Sequence, residues 1–246
     1  MNKPSPHGHA KNALCWLAFA MLSFWLSVAS AWWLSSRIDY GYPLWYQLLS
    51  IDEHIARYAP HHPTRKGFAE AGADVHRRVF SDITKAVHGQ GTELGSIRYQ
   101  TTAGQWVTLL GDEEITHLND VARLLRLAGW ATLLMVPIWL WLATARYQAV
   151  SPPRRHKALS VAVVAALVVV PLLLAGPTAV FYQLHVWIFP PENPWFFYWE
   201  ESLMSTLMKA PDLFGAIAVQ IMLLALLLIY PVQTIGHRLG RLFLRR

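Results

Sequence analysis

The sequence predicts an α-helical membrane protein. Four transmembrane helices are expected, with a small mixed α/β domain outside the membrane between the first and second. Three observations lead there. Of the 246 residues, 54% are hydrophobic and only 15% charged, with a mean hydropathy of +0.28. Four apolar runs, roughly 13–34, 129–145, 158–174 and 213–230, approach the about 20 residues that cross a hydrocarbon core. The basic residues are also segregated. Lys3 and Lys11 precede the first run, Arg146, Arg154, Arg155 and Lys157 lie between the second and third, and Arg238, Arg241, Arg245 and Arg246 follow the fourth. None of these three segments carries Asp or Glu, so the positive-inside rule makes all three cytoplasmic. The net charge of +6 then expresses topology, and no nucleic-acid partner is inferred.

The expected organisation follows the chain. Residues 1–12 form a disordered cytoplasmic tail, and 13–35 the first transmembrane helix. Lys3, Lys11, the apolar run and Ala29-Ser30-Ala31 also resemble a signal peptide. The length of the run and the bulky Trp32 and Trp33 favour an uncleaved anchor. Cys15, the single cysteine, reads as a packing residue, and one cysteine builds neither a disulfide nor a cysteine-ligated zinc site.

Residues 36–122 are the extracytoplasmic domain. Trp32, Trp33, Tyr40, Tyr42, Trp45 and Tyr46 suit an interfacial aromatic girdle. Residues 44–58 read as one short helix along the membrane surface, with His61 and His62 in a solvated turn between prolines. Residues 66–87 carry Phe68, Ala71, Val75, Val79 and Ile83 at helical spacing. Runs 97–101 and 105–110 flank Thr102-Ala103-Gly104, a hairpin signal. Few residues here build a separate core, so the domain is expected to pack against the bilayer.

Transmembrane helix 2 is placed at 123–146, a cytoplasmic loop at 147–157, and helix 3 at 158–177. An extracytoplasmic loop at 178–211 resumes as helix over 178–189, stopped by Pro190 and Pro191. Helix 4 spans 212–235, ending near Pro231, and a cytoplasmic tail covers 236–246.

Chemistry concentrates at two histidines. Asp112 is placed to cap the helix leading into the second span, and Glu113 and Glu114 suit its positive end. Glu113, His117 and Asp120 then share one helical face. A carboxylate beside an imidazole fixes its tautomer and raises its basicity, the makings of a general base. A solvated helix start with an idle histidine gives the same local pattern. His185 sits in an aromatic, apolar setting on the same side as His117, where an ionisable group is costly unless partnered. It is either the second member of an acid–base pair or a ring satisfied by a carbonyl of its own helix.

Glu114-Ile115-x-His117-x-x-Asp120-Val121, together with His185-x-x-x-Phe189, Trp195, Glu201-x-Leu203 and Pro211-x-x-Phe214, resembles the lipoprotein intramolecular transacylase (Lit) family of integral membrane proteins. The resemblance implies a bacterial inner-membrane acyltransferase with cytoplasmic termini. Its substrates are diacylglyceryl-modified lipoproteins within membrane lipid, and it uses no cofactor. It moves the sn-2 acyl chain to the N-terminal cysteine amine, giving the lyso-form. His117 and His185 are the implied catalytic pair, with Asp120, Glu113, Glu114 and Trp195 in support. His117, oriented by Asp120 or Glu113, is expected as the base and His185 as the proton donor or oxyanion partner, with the reverse assignment open. A metal-dependent membrane hydrolase and a noncatalytic scaffold are the rival readings, the former lacking close paired histidines.

Overall fold

The computed structural model describes residues 6–144, 155, 158, 162, 165, 166, 169, 170 and 173–243. The expected cytoplasmic loop at 147–157 and third transmembrane helix at 158–177 lie largely outside the described residues. The described residues are mostly helical, with a small two-stranded sheet. Among the described residues three helices are long and apolar enough to cross a membrane, at Leu14–Ser36, Asp112–Ala143 and Asp212–Gly240. The backbone divides into two compact units, one of residues 1–33, 129–176 and 221–246, the other of 34–128 and 177–220.

In the first unit, α1 (Pro6–Ser36), α5 (Asp112–Thr144) and α8 (Asp212–Phe243) contribute their apolar stretches. α1 already begins at Pro6, so residues 6–12 of the expected disordered tail are helical. Proline is compatible with a first helical turn, where its missing N–H would have no partner. Phe19 stacks on Trp139 at 6.0 Å. The indole N–H donates to Ser23 Oγ at 2.9 Å, and Ser23 donates to the Phe19 carbonyl at 2.7 Å. Polar groups inside an apolar helix packing are thereby satisfied. Cys15 is half-buried beside this cluster, as a packing residue should be. α8 continues through Pro231 to Phe243 instead of ending at the proline, so residues 236–243 of the expected tail are helical. Long apolar helices accommodate an internal proline where local adjustments satisfy the freed backbone group.

The second unit is built on its own core, contrary to the expectation that this region lacks one. Tyr42, Ile51, Ile55, Phe68, Val79, Tyr99 and Leu109 are fully buried together with Leu203, Leu207 and Leu213. Leu203 and Leu207 come from a segment assigned by sequence to a separate loop, and Leu213 from the start of the expected helix 4, which explains the misjudgement. Tyr42 stacks on Phe80 at 3.8 Å and donates to the Leu207 carbonyl at 2.8 Å.

The expected single helix over 44–58 is two helices, α2 (Tyr42–Leu48) and α3 (Ile51–Tyr58). They break at Ser50, whose φ of +46° is incompatible with a continuing right-handed helix. The helix expected over 66–87 starts only at Ala73 as α4 (Ala73–Val87), because Gly67 and Gly72 hold positive φ angles. Phe68 leaves the amphipathic stripe and enters the core. The hairpin forms as read, β1 (Arg98–Gln100) pairing antiparallel with β2 (Trp106–Thr108) and Tyr99 opposite Val107. Tyr99 anchors it, edge-on to Phe68 at 4.9 Å and donating to the Lys66 carbonyl at 2.8 Å. Two strands alone are marginal in water, so this packing is what holds them.

α6 (Pro177–Ile188) matches the helix expected over 178–189, with Pro177 as its first residue. Residues 189–202 then run without regular structure into the short α7 (Leu203–Leu207).

Candidate active site

All the residues concerned belong to the second unit. The start of α5 is closed by Glu114, not by Asp112 as expected. Asp112 is itself the first helical residue and is exposed, while Gly111 accepts the first helical N–H from Ile115 at 2.9 Å. Glu114 Oε2 reaches back to the Gly111 N–H at 2.5 Å, the reciprocal half of a capping box. Its other oxygen accepts from Ser202 Oγ at 2.5 Å and from the Met204 N–H at 3.2 Å. Glu114, 4% exposed, thus ties α5 to the entry of α7.

One turn on, His117 is half-buried, with Phe189 at 4.8 Å and Phe197 at 6.0 Å between ring centres. Its third ring neighbour is His185, at 6.2 Å and 32°. That spacing suits a reacting group or one water between the imidazoles rather than a direct bond. The structure therefore brings together the two histidines that the sequence singled out.

His185 Nδ1 lies 2.8 Å from the Phe181 carbonyl, one turn earlier on α6. A carbonyl only accepts, so Nδ1 carries the proton and the neutral ring presents its lone pair on Nε2. His185 thus bonds a carbonyl of its own helix while its ring lies 6.2 Å from that of His117. The ring is walled by Phe181 at 4.0 Å, Trp195 at 5.1 Å and Phe189 at 5.2 Å. Burial lowers its pKa, partly offset by the bond to Phe181, so His185 is neutral at pH 7.

The expected supports distribute unevenly. Trp195 joins the wall. Asp120, 8% exposed, accepts from Asn193 Nδ2 at 2.5 Å and meets Arg123 at 3.3 Å. Its carboxylate holds the 189–202 segment and also acts on the His117 ring by its charge. Glu113 is exposed. It shares the helical face of His117 by spacing, yet stands out in solvent. Among the described residues, no three His, Cys, Asp or Glu side chains group as a metal site would require.

Sequence reasoning missed several residues that shape this region. His62 is 2% exposed, not solvated. Its Nδ1 accepts the N–H groups of Thr64 and Arg65 at 3.2 and 3.0 Å. His54, on α3, is 7% exposed and packs against Tyr58 and Trp199 at 4.6 Å each. Burial, with Lys209 adding to it, holds its pKa down to about 4. Asn193 and Ser202 lie in an irregular stretch with no periodicity to flag them. Phe181 had a signal, since it precedes His185 by four residues on a predicted helix.

Residues 98–210 match the family model described as lipoprotein intramolecular transacylase Lit. The resemblance read from the sequence holds over this span, which contains His117, His185 and both segments that wall them. No curated protein and no solved structure matches the chain.

Proposed function

We propose that this chain, whose residues 98–210 match the Lit family, is a membrane transacylase that acts on diacylglyceryl lipoproteins and converts them to the N-acyl, lyso-form. The observation that carries the reading is the pair His117 and His185, 6.2 Å apart within aromatic walls and inside the matched span. The charge pattern supports four membrane spans, the third over 158–177, with cytoplasmic termini and both histidines on the outer side.

The reaction is an ester-to-amide transfer within one molecule. The cysteine amine attacks the sn-2 ester carbonyl. One N–C bond forms, one C–O bond breaks, and one proton passes from the amine to the glyceryl oxygen. No oxidant or co-reactant is required, and holding amine and ester together supplies the effective concentration. The tautomer of His185 supports the assignment that the sequence had left second. Nε2, left with the lone pair when Nδ1 donates to the Phe181 carbonyl, takes the amine proton. An N–H of His117 then stabilises the developing oxyanion and assists return of the proton to the leaving oxygen. The aromatic walls limit water, the competing nucleophile.

The test is mass spectrometry of the N-terminal lipopeptide of one abundant lipoprotein, in a host lacking its own N-acyltransferase. Expression of the wild-type chain is expected to give an N-acyl, lyso-glyceryl species. His117→Ala and His185→Ala are expected to leave the diacylglyceryl peptide unchanged while remaining in the membrane. Full conversion by either variant, or an unchanged peptide with the wild type well expressed, overturns the proposal.

A further inference from the structure

We infer that Asn193 is a positioning residue for the histidine pair, acting through Asp120; the inference rests on the reading given above. The segment after α6 has little backbone order of its own. Pro190, Pro191 and Pro194 lack N–H donors, and residues 194–198 adopt no regular structure. Yet this segment supplies two walls of the site, Trp195 beside His185 at 5.1 Å and Phe197 beside His117 at 6.0 Å. Side-chain ties must therefore hold it.

Four ties act on its second half, one of them the Trp199 indole N–H donating to the Ala210 carbonyl at 3.0 Å. Ser205 Oγ donates to the Phe197 carbonyl at 3.2 Å, Thr206 Oγ1 to the Trp199 carbonyl at 2.5 Å, and Ser202 Oγ to Glu114 at 2.5 Å. On the first half, the tie to the rest of the unit is Asn193 Nδ2 donating to Asp120 Oδ2 at 2.5 Å. Its acceptor is well placed. Asp120 follows His117 by three residues on α5, so the bond fixes the segment to the turn that carries the ring. A buried carboxylate accepting from an amide is among the stronger neutral-donor hydrogen bonds. Trp195 follows two residues later, close enough for the bond to limit its travel. The aspartate that sequence reasoning placed as the orienter of His117 thus also acts on the enclosing segment, where Asn193 is its partner.

The test uses the full-length protein in detergent micelles, with two readouts. One is kcat and KM for conversion of a diacylglyceryl lipopeptide. The other is the rate at which diethyl pyrocarbonate modifies His117 and His185, read by peptide mass spectrometry and independent of turnover. Asn193→Asp places two carboxylates together, and Asn193→Ala removes the donor. Both are expected to lower kcat by about tenfold or more with KM changed by less than about threefold. Both are expected to speed modification of the histidines several-fold. The exchange variant Asp120→Asn with Asn193→Asp restores one amide-to-carboxylate bond and is expected to bring the modification rate back toward wild type. Wild-type modification rates in both single variants overturn the inference, as does an exchange variant no better protected than Asn193→Asp. A wild-type protein that makes no lyso-form product fails the functional reading, and the modification rates still decide the role of Asn193.

Discussion

Glu114 offers the sharpest test of how the site is assembled. Its carboxylate, 4% exposed, gathers the Gly111 N–H, the Ser202 hydroxyl and the Met204 N–H. In Glu114→Gln the side chain keeps its shape. One amide oxygen can still serve Ser202 and Met204, but the NH2 group then meets the Gly111 N–H, donor against donor. One bond is lost and a donor is left without an acceptor, a cost of about 2 kcal/mol. Glu114→Ala removes all three acceptor contacts and leaves a small void. Ser202 Oγ retains its bond from the Ser205 N–H at 2.9 Å, which softens the loss. The contacts also share one carboxylate and are not additive, so the estimate is about 4–5 kcal/mol. At about 2–4 °C per kcal/mol for a chain of this size, the unfolding midpoint falls by roughly 6 °C for Gln and 12 °C or more for Ala. Thermal unfolding of the full-length protein in detergent reads the midpoint, and amide exchange at residues 203–207 reports the local consequence. An alanine variant within about 2 °C of wild type, with unchanged exchange, refutes the reasoning that Glu114 ties α5 to α7.

Other expectations follow from individual groups. The unfolded His54 ring takes up a proton near pH 6.5, whereas burial holds the folded ring to about 4, so acid favours unfolding. The stability contributed by the neutral ring is complete above pH 6.5 and is lost as pH falls toward 4. The loss amounts to about 2 kcal/mol at pH 5, and His54→Phe is expected to flatten that limb of a stability–pH curve. His185 is likewise lowered by burial. The rate of acyl transfer is therefore expected to stay level through neutral pH and to fall only below about 6.5. An acid limb centred above pH 7 contradicts His185 as the base. Finally, a Cβ at Gly236 would stand 2.8 Å from Trp139 Cζ2. Gly236→Ala is expected to destabilise the first unit by about 1–3 kcal/mol, read as a lowered midpoint and altered tryptophan fluorescence.

How much of this was legible depended on the range of the interactions. The hairpin was legible because Thr102-Ala103-Gly104 is a local signal, and Gly104 indeed takes a φ of +81°. His185 was legible as an ionisable group in an apolar stretch, and His117 as an imidazole sharing a helical face with carboxylates. The core of the second unit was not, because Leu203, Leu207 and Leu213 lie about a hundred residues from the Tyr99 and Leu109 they share it with. No periodicity in one segment reports a partner so distant. Helix starts were misplaced where a backbone angle decided them, at Ser50 and Gly72. His62 was misread because two adjacent histidines between prolines look solvated, whereas the ring serves as acceptor for its own turn. Asp120 acts on His117 by its charge and has a second partner that its own helix does not reveal. Helical spacing puts it beside His117, and only the tertiary fold delivers Asn193 to its carboxylate.

The most direct test of the central claim follows the acyl chain itself. The purified protein would be given a synthetic diacylglyceryl lipopeptide whose sn-2 chain alone is isotopically labelled, mixed with an unlabelled copy that differs in peptide mass. The account predicts the label on the N-terminal amine of the same peptide that carried it as an ester, with no crossover between the two peptides and no product from the His117→Ala, His185→Ala double variant. Label recovered as free fatty acid, exchanged between peptides, or still at the sn-2 position after incubation with active protein would contradict it.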